Sequence, residues 1–314
     1  MTATPDHAEP ALDAGTPADA DAPGTPARPD APGTPARPDT PGTPAAADVP
    51  GHATAATGTA TGADGPDWRA ANRANWDERV PFHLASEFYD LPGFIAGRDS
   101  LWDFEVAEVG EVTGKRLLHL QCHIGLDTLS WARRGARVTG LDFSEPAVVA
   151  AGELAERIGV TDARFVASDV YAAAEALDGE TFDIVCTGFG ALCWLPDLDR
   201  WARTVARLLA PGGFLYLAEY HPFADILGAD GLTVEQDYFN RKPNVYDEPG
   251  TYTDLTGPTE ATVTVEWQHG LGEVVTALVE AGLRPEFLHE HDHAHFRLPA
   301  GGPVPRVYSI RAAK

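Results

Sequence analysis

Arg116-Leu-Leu-His-Leu-Gln-Cys-His-Ile-Gly125-Leu-Asp-Thr128 holds a short apolar run, a turn that closes on a glycine, and the first residues of a helix. Arg116–Leu120 has the length and bounded apolarity of a buried strand. Leu126–Arg134 follows as a helix, and Gly135 stands where a left-handed residue commonly ends one. Ala136–Leu141 is a second strand, and Asp142 closes it 17 residues after Gly125. This strand–turn–helix–strand unit sets the reading of the rest of the chain.

Downstream, Ser144 is the expected N-cap of a helix with Glu145 and Pro146 in its first turn, running toward Ile158 and ending at Gly159. A strand at Arg164–Ala167, a short helix at Val170–Leu177, a turn at Asp178-Gly179 and a strand at Phe182–Thr187 come next. Trp201, Val205, Leu208 and Leu209 give Leu198–Leu209 helical spacing. Pro211-Gly212-Gly213 stops that helix before a strand at Phe214–Tyr220. A further helix at Gly270–Ala281 precedes strands at Glu286–His291 and Arg306–Ile310, joined by a loop with Gly301-Gly302-Pro303. Upstream, Trp68–Val80 and a stretch near Phe94–Val106 read as helices. Alternating strands and helices predict a parallel sheet covered on both faces. The last two strands lack a helix between them and should pair antiparallel. The expected fold is therefore α/β: a doubly wound, mostly parallel seven-stranded sheet with a C-terminal antiparallel hairpin.

Residues 1–66 differ in kind. They hold no aromatic residue, and Ala-Pro-Gly-Thr-Pro-Ala-Arg-Pro-Asp runs from Ala22 to Asp30 and again from Ala31 to Asp39. Such a segment cannot bury enough apolar surface to offset its ordering entropy, so a disordered tail is expected, with residues 67–314 as the folded domain. The tail lacks the basic start and apolar core of a secretory signal, and no run is long enough to span a bilayer. Cys122, Cys186 and Cys193 suit a reduced, cytoplasmic setting. With 23 Lys and Arg against 47 Asp and Glu, the net charge of −24 argues against nucleic acid and toward a small-molecule or protein partner.

Element order and motif wording together resemble the class I S-adenosylmethionine-dependent methyltransferases. The Leu-Gln-Cys-His-Ile-Gly-Leu-Asp-Thr wording resembles one bacterial branch of them, and Arg207-Leu-Leu-Ala-Pro-Gly-Gly-Phe-Leu-Tyr216 resembles the superfamily's turn into its fifth strand. The resemblance implies a first motif at Gln121, Cys122, His123, Gly125 and Asp127, whose backbone and following helix face the methionine end of the cofactor. Gln121 and His123 stand where that family has glycines, and His119 where it has an acid. Asp142 would accept from the ribose hydroxyls, with a cap or turn carboxylate as the plainer use, and Phe143 would pack on the adenine. Ser168, Asp169 and Val170 would meet the adenine, unless Asp169 only caps the next helix. Thr187 and Gly188 would line the cavity of the reacting methyl group.

On the acceptor side, Trp76, Arg79, His83 and Tyr89 fall in the N-terminal helical region that covers the cofactor in related enzymes. Trp76 and Tyr89 serve equally well as core anchors. Glu219, Tyr220 and His221 end the fifth strand, and His221 or His269 has the near-neutral titration a general base needs, against local hydrogen bonding as the plainer reading. Residues 222–266 are expected to cover the substrate, with Tyr252 among their aromatics and a hairpin pairing Ala261–Trp267 with Thr251–Leu255. Four histidines, His289, His291, His293 and His295, share one strand face but sit about 7 Å apart along it, so a solvated strand is expected and no metal. The rival readings are a non-catalytic cofactor binder on the same fold and a nicotinamide oxidoreductase. The latter needs an intact glycine turn and does not account for the terminal hairpin.

Overall fold

In a computed structural model, residues 67–293, 298 and 301–314 are described. The tail and His295 lie outside them. The chain enters through α1 (Trp68–Ala85), capped by the Asp67 carboxylate on the Arg69 and Ala70 amides. Two short helices, α2 (Leu91–Ile95) and α3 (Asp103–Val109), follow. They replace the single stretch expected near Phe94–Val106. Gly97 at φ 110° breaks the helical path, and Glu105 caps the second piece by accepting from the Trp102 amide at 2.9 Å.

The sheet is then laid down by β1 (Arg116–Leu120), α4 (Leu126–Arg133), β2 (Arg137–Asp142), α5 (Glu145–Arg157), β3 (Arg164–Ala167), α6 (Ala173–Ala176), β4 (Phe182–Thr187), α7 (Leu198–Leu208) and β5 (Leu209–Tyr220). After α8 (Pro222–Asp225) comes an antiparallel pair, β6 (Asn244–Asp247) with β7 (Val263–Glu266), then α9 (Leu271–Glu280), β8 (Arg284–His291) and β9 (Val307–Ala313). The seven strands run in the order β3-β2-β1-β4-β5-β9-β8. β1 to β5 are mutually parallel, and β9 runs antiparallel to both β5 and β8, as the missing helix required.

Two differences from expectation change the strand pairing. The partner of β7 is Asn244–Asp247, because Gly250 at φ 84° turns the chain and Thr251 and Asp254 bond each other's backbones in a tight loop. β5 begins at Leu209, since Pro211-Gly212-Gly213 forms an irregularity inside the strand: Leu209 pairs with Phe182, and pairing resumes at Phe214 with Ile184.

β1 reads as a continuous apolar run because both its faces are covered. Leu118 joins Trp201, Val205 and Leu208 of α7 on one side, while Leu117 packs with Trp131, Val138 and Ile184 on the other. Gly125 begins α4 at φ 79°, and a Cβ there would lie 2.7 Å from that of Ala151 on α5. Gly125→Ala should therefore destabilise by about 2–4 kcal/mol, summing left-handed strain and overpacking. A chemical-denaturation midpoint unchanged from the parent would contradict that.

Candidate functional site

Strand order reverses between β1 and β4, and in open α/β sheets ligands bind at such a switch point, beyond the carboxyl ends of the strands. Those ends present Gln121, Asp142, Ser168, and Thr187 with Gly188.

The turn after β1 keeps the backbone of a glycine-rich loop with one glycine. Gln121 has φ 57° and His123 φ 49°, each at a cost of about 1–2 kcal/mol for a non-glycine residue. Their side chains are tied away. Gln121 Nε2 donates to the Ala191 carbonyl at 2.8 Å. His123 Nε2 meets His83 Nδ1 at 2.7 Å, and His83 Nε2 meets Thr251 Oγ1 at 2.7 Å. Burial pushes His83 down to about 2 and His123 to about 3, with Arg79 adding to both, so the pair is neutral and one imidazole donates to the other. Cys122 lends only its backbone: its buried thiol is pushed up and packs under the turn, close to Gly140.

Asp142, 7% exposed, is fixed by two amides: His123 N–H donates to Oδ2 at 2.8 Å and Ser144 N–H to Oδ1 at 2.9 Å. Burial outweighs these bonds and raises the carboxyl to about 6. Each oxygen keeps a lone pair for a further donor. Beside it, Arg73 of α1 lies 5.8 Å over the Phe143 ring. Asp169 takes the cap, accepting from the Tyr171 amide at 2.8 Å, and also pairs with Arg69 of α1 at 2.9 Å. Val170 is buried, and Ser168 bonds its neighbour's carbonyl. Two buried oxygens, Thr187 Oγ1 and Gln121 Oε1, have no partner among the described residues.

α1 is hydrogen-bonded to the insertion between β5 and α9. Asn72 is buried and imitates a strand neighbour, donating to the Val265 carbonyl and accepting from its amide, both at 2.8 Å. Asn75 donates to Ala261 O, and Glu78 accepts from the Glu260 and Ala261 amides. Trp76 stands edge-on to His123 (5.2 Å between centroids) and Trp194 (5.4 Å), and the Tyr89 and Tyr252 hydroxyls share a hydrogen bond.

The end of β5 is organised by Glu219. Its carboxylate accepts from the amides of Gly190, Ala191, Leu192 and Tyr220, stiffening the loop after β4, while burial lifts it to about 7. The Tyr220 ring packs on Phe189 at 5.5 Å. His221 and His269 have local partners. His221 accepts from the Phe223 amide and meets Glu290 at 3.0 Å beside Tyr308, over the β8–β9 side of the sheet. His269 Nε2 donates to the Leu195 carbonyl at 2.7 Å. Neither is brought to the cluster of Trp76, Tyr89, His123 and Tyr252. His289 and His291 both reach Glu108 of α3, and His291 stacks on Phe104. Among the described residues no group of three His, Cys, Asp or Glu could hold a metal ion, and no helix is long and apolar enough to cross a membrane.

Comparison with known proteins gives this site its context. A family described as "Methyltransferase domain" matches residues 118–215. The demethylmenaquinone methyltransferase of Thermobifida fusca is 33% identical over 184 residues, covering 54% of this chain and 75% of that enzyme. The chain belongs to the class I S-adenosylmethionine-dependent methyltransferases. Another relative, the ubiquinone biosynthesis O-methyltransferase of Vibrio cholerae, is 31% identical over 139 residues, 43% of this chain and only 56% of that enzyme's length. In fold, the chain is similar to the Burkholderia thailandensis 1,6-didemethyltoxoflavin-N1-methyltransferase solved with bound 1,6-didemethyltoxoflavin and S-adenosylhomocysteine: TM-score 0.52, 19% identity, 84% of this chain and 98% of that one.

The residues present fit the family's cofactor. A buried carboxylate with free lone pairs ends β2, the turn after β1 keeps its left-handed backbone, and the Thr187 and Gln121 oxygens that lack partners among the described residues flank the switch point. What the sequence did not reveal is the suture of α1 to β7 through Asn72 and Glu78, the Arg69–Asp169 pair and the loop-organising use of Glu219. Asn72 and Val265 lie 193 residues apart, and no local pattern announces such a bond.

Proposed function

We propose that this methyltransferase moves the methyl group of S-adenosylmethionine to a small-molecule acceptor enclosed between α1 and residues 222–266. The observation that carries the reading is Asp142: a buried carboxylate at the end of β2, held by two amides and still able to accept from two hydroxyls. Asp142 would hold the ribose. Phe143 under Arg73, and Ser168 to Val170, would bound the adenine. Gln121 to Gly125 would pass along the methionine end, and Thr187 with Gly188 would border the reacting centre. When bound, the cofactor supplies a methyl carbon already attached to a sulfonium leaving group.

The chain's own task is then alignment and exclusion of water. Trp76, Tyr89, Tyr220 and Tyr252 supply aromatic surface for an acceptor, and the Asn72, Asn75 and Glu78 bonds keep the cover closed. The backbone retained at Gln121 and His123 weighs against a decayed, non-catalytic site. Three unpaired cysteines support a reducing, cytoplasmic setting.

Calorimetric titration of the full chain with S-adenosylhomocysteine, with NAD and NADP as controls, tests this. Micromolar binding of S-adenosylhomocysteine alone is expected, together with methyl transfer from labelled S-adenosylmethionine into a small-metabolite pool. A preference for a nicotinamide nucleotide would refute the reading. Tight S-adenosylhomocysteine binding without turnover on any pool would leave a binding protein.

A further inference from the structure

The departures from the family's first motif leave a charge unaccounted for. The methionyl end of the cofactor is a zwitterion, and neither its ammonium nor its carboxylate can be enclosed without an opposite charge or several hydrogen bonds. The strand-end position that carries an acid in the family is His119 here. It is buried, bonded through Nδ1 to Thr128 Oγ1 at 2.8 Å, and pushed by burial toward its neutral form, so it brings no negative charge.

Two groups from other elements flank the same turn. Asp127 lies in the first turn of α4. Its Oδ2 and His119 Nε2 converge on the space beside Gly188, where a Cβ would lie 3.8 Å from the one and 3.5 Å from the other. Behind it, Glu105 of α3 is buried, and burial followed by the Asp127 charge pushes its carboxyl up. Arg79 of α1 is the cation. Its Nε is buried without a hydrogen-bond partner among the described residues, its guanidinium lies 5.3 Å from the Trp76 ring centroid, and it is within electrostatic reach of Tyr252, Glu266, Tyr89 and His123. Tyr89 in turn feels Asp127, which places it within electrostatic reach of both charges.

We infer that Asp127 and Arg79 form a zwitterion clamp, Asp127 taking the ammonium and Arg79 the carboxylate of the cofactor's methionyl end, in place of the acid missing at His119. The inference rests on the proposed use of S-adenosylmethionine. The clamp accounts for two features at once: a buried guanidinium nitrogen without an acceptor among the described residues, and a turn that has lost its acid yet keeps its backbone. It also makes α1 part of the cofactor site.

The test uses the full chain and two ligands. S-adenosylhomocysteine carries the amino-acid end, and 5′-methylthioadenosine has the same adenosyl thioether without it. Asp127→Asn and Arg79→Gln should each weaken S-adenosylhomocysteine at least tenfold in calorimetry while changing 5′-methylthioadenosine less than threefold, and Arg79→Lys should recover part of the loss. Retained 5′-methylthioadenosine binding shows that a variant is folded. Unchanged S-adenosylhomocysteine affinity in either variant overturns the clamp, and an Arg79→Gln chain that binds it normally but loses turnover assigns Arg79 to the acceptor. Equal losses for both ligands also overturn it. A parent chain that binds neither ligand refutes the cofactor reading itself.

Discussion

In Asp142→Ala, affinity for S-adenosylhomocysteine is expected to fall by more than tenfold. The carboxylate is buried, its two protein bonds come from backbone amides, and its remaining lone pairs are the ones a ribose diol would use. Losing a charged acceptor is worth about 1.5–3 kcal/mol, which is about ten- to 150-fold in affinity. The pH dependence gives a second measure. Burial raises this carboxyl to about 6, above its ordinary value, so the folded chain holds the proton more tightly than the unfolded one. The cost to stability is absent below about pH 4, grows as pH rises, and is complete above about 6, on the order of 2–3 kcal/mol. A ligand whose hydroxyls donate to the ionised form pulls the pKa back down. S-adenosylhomocysteine should therefore bind more weakly at pH 5.5 than at 7.5, and raise the thermal midpoint less. Equal affinity at both pH values, or an unaltered Asp142→Ala chain, would remove Asp142 from the ribose site.

The second large effect is expected from Glu219→Gln. Glu219 Oε1 accepts from the Gly190 and Tyr220 amides, and Oε2 from those of Ala191 and Leu192. An amide of the same shape accepts on one side only, so its NH2 must face two N–H donors. At about 1–3 kcal/mol for each unsatisfied group, the loss is about 3 kcal/mol. For a domain of this size that is a fall of about 6–12 °C in thermal midpoint. The Gly190–Leu192 loop also holds Gln121 through the Ala191 carbonyl, so S-adenosylhomocysteine affinity should fall in parallel. A thermal midpoint within 2 °C of the parent would show that the loop does not depend on this carboxylate.

The sequence by itself determined the layered architecture. Strand length, bounded apolarity and helical spacing are local properties, and in β1 to β5 with their helices each local preference agrees with the sheet that forms. The absence of a helix before β9 was enough to predict the antiparallel end. Asp142 was legible for the same reason: its place at a strand end, 17 residues beyond Gly125, is a matter of counting along the chain. Local reading failed where pairing is chosen by contacts far away. The partner of β7 is set by Gly250 and by the α1 side chains that bond β7, and the break between α2 and α3 by Gly97.

Only the tertiary structure decided how the site is manned. Whether Gln121 and His123 had destroyed the glycine turn depended on φ angles and on anchors at Ala191 and His83, neither visible in the motif. Glu290 and the Phe223 amide occupy both ring nitrogens of His221, and the Leu195 carbonyl occupies Nε2 of His269. Arg79, Asp127 and Glu105 come from three helices that only folding brings together. Periodicity and order along a chain report what a segment forms, whereas hydrogen bonding, desolvation and charge pairing report what meets what, and those meetings exist only once the chain is folded.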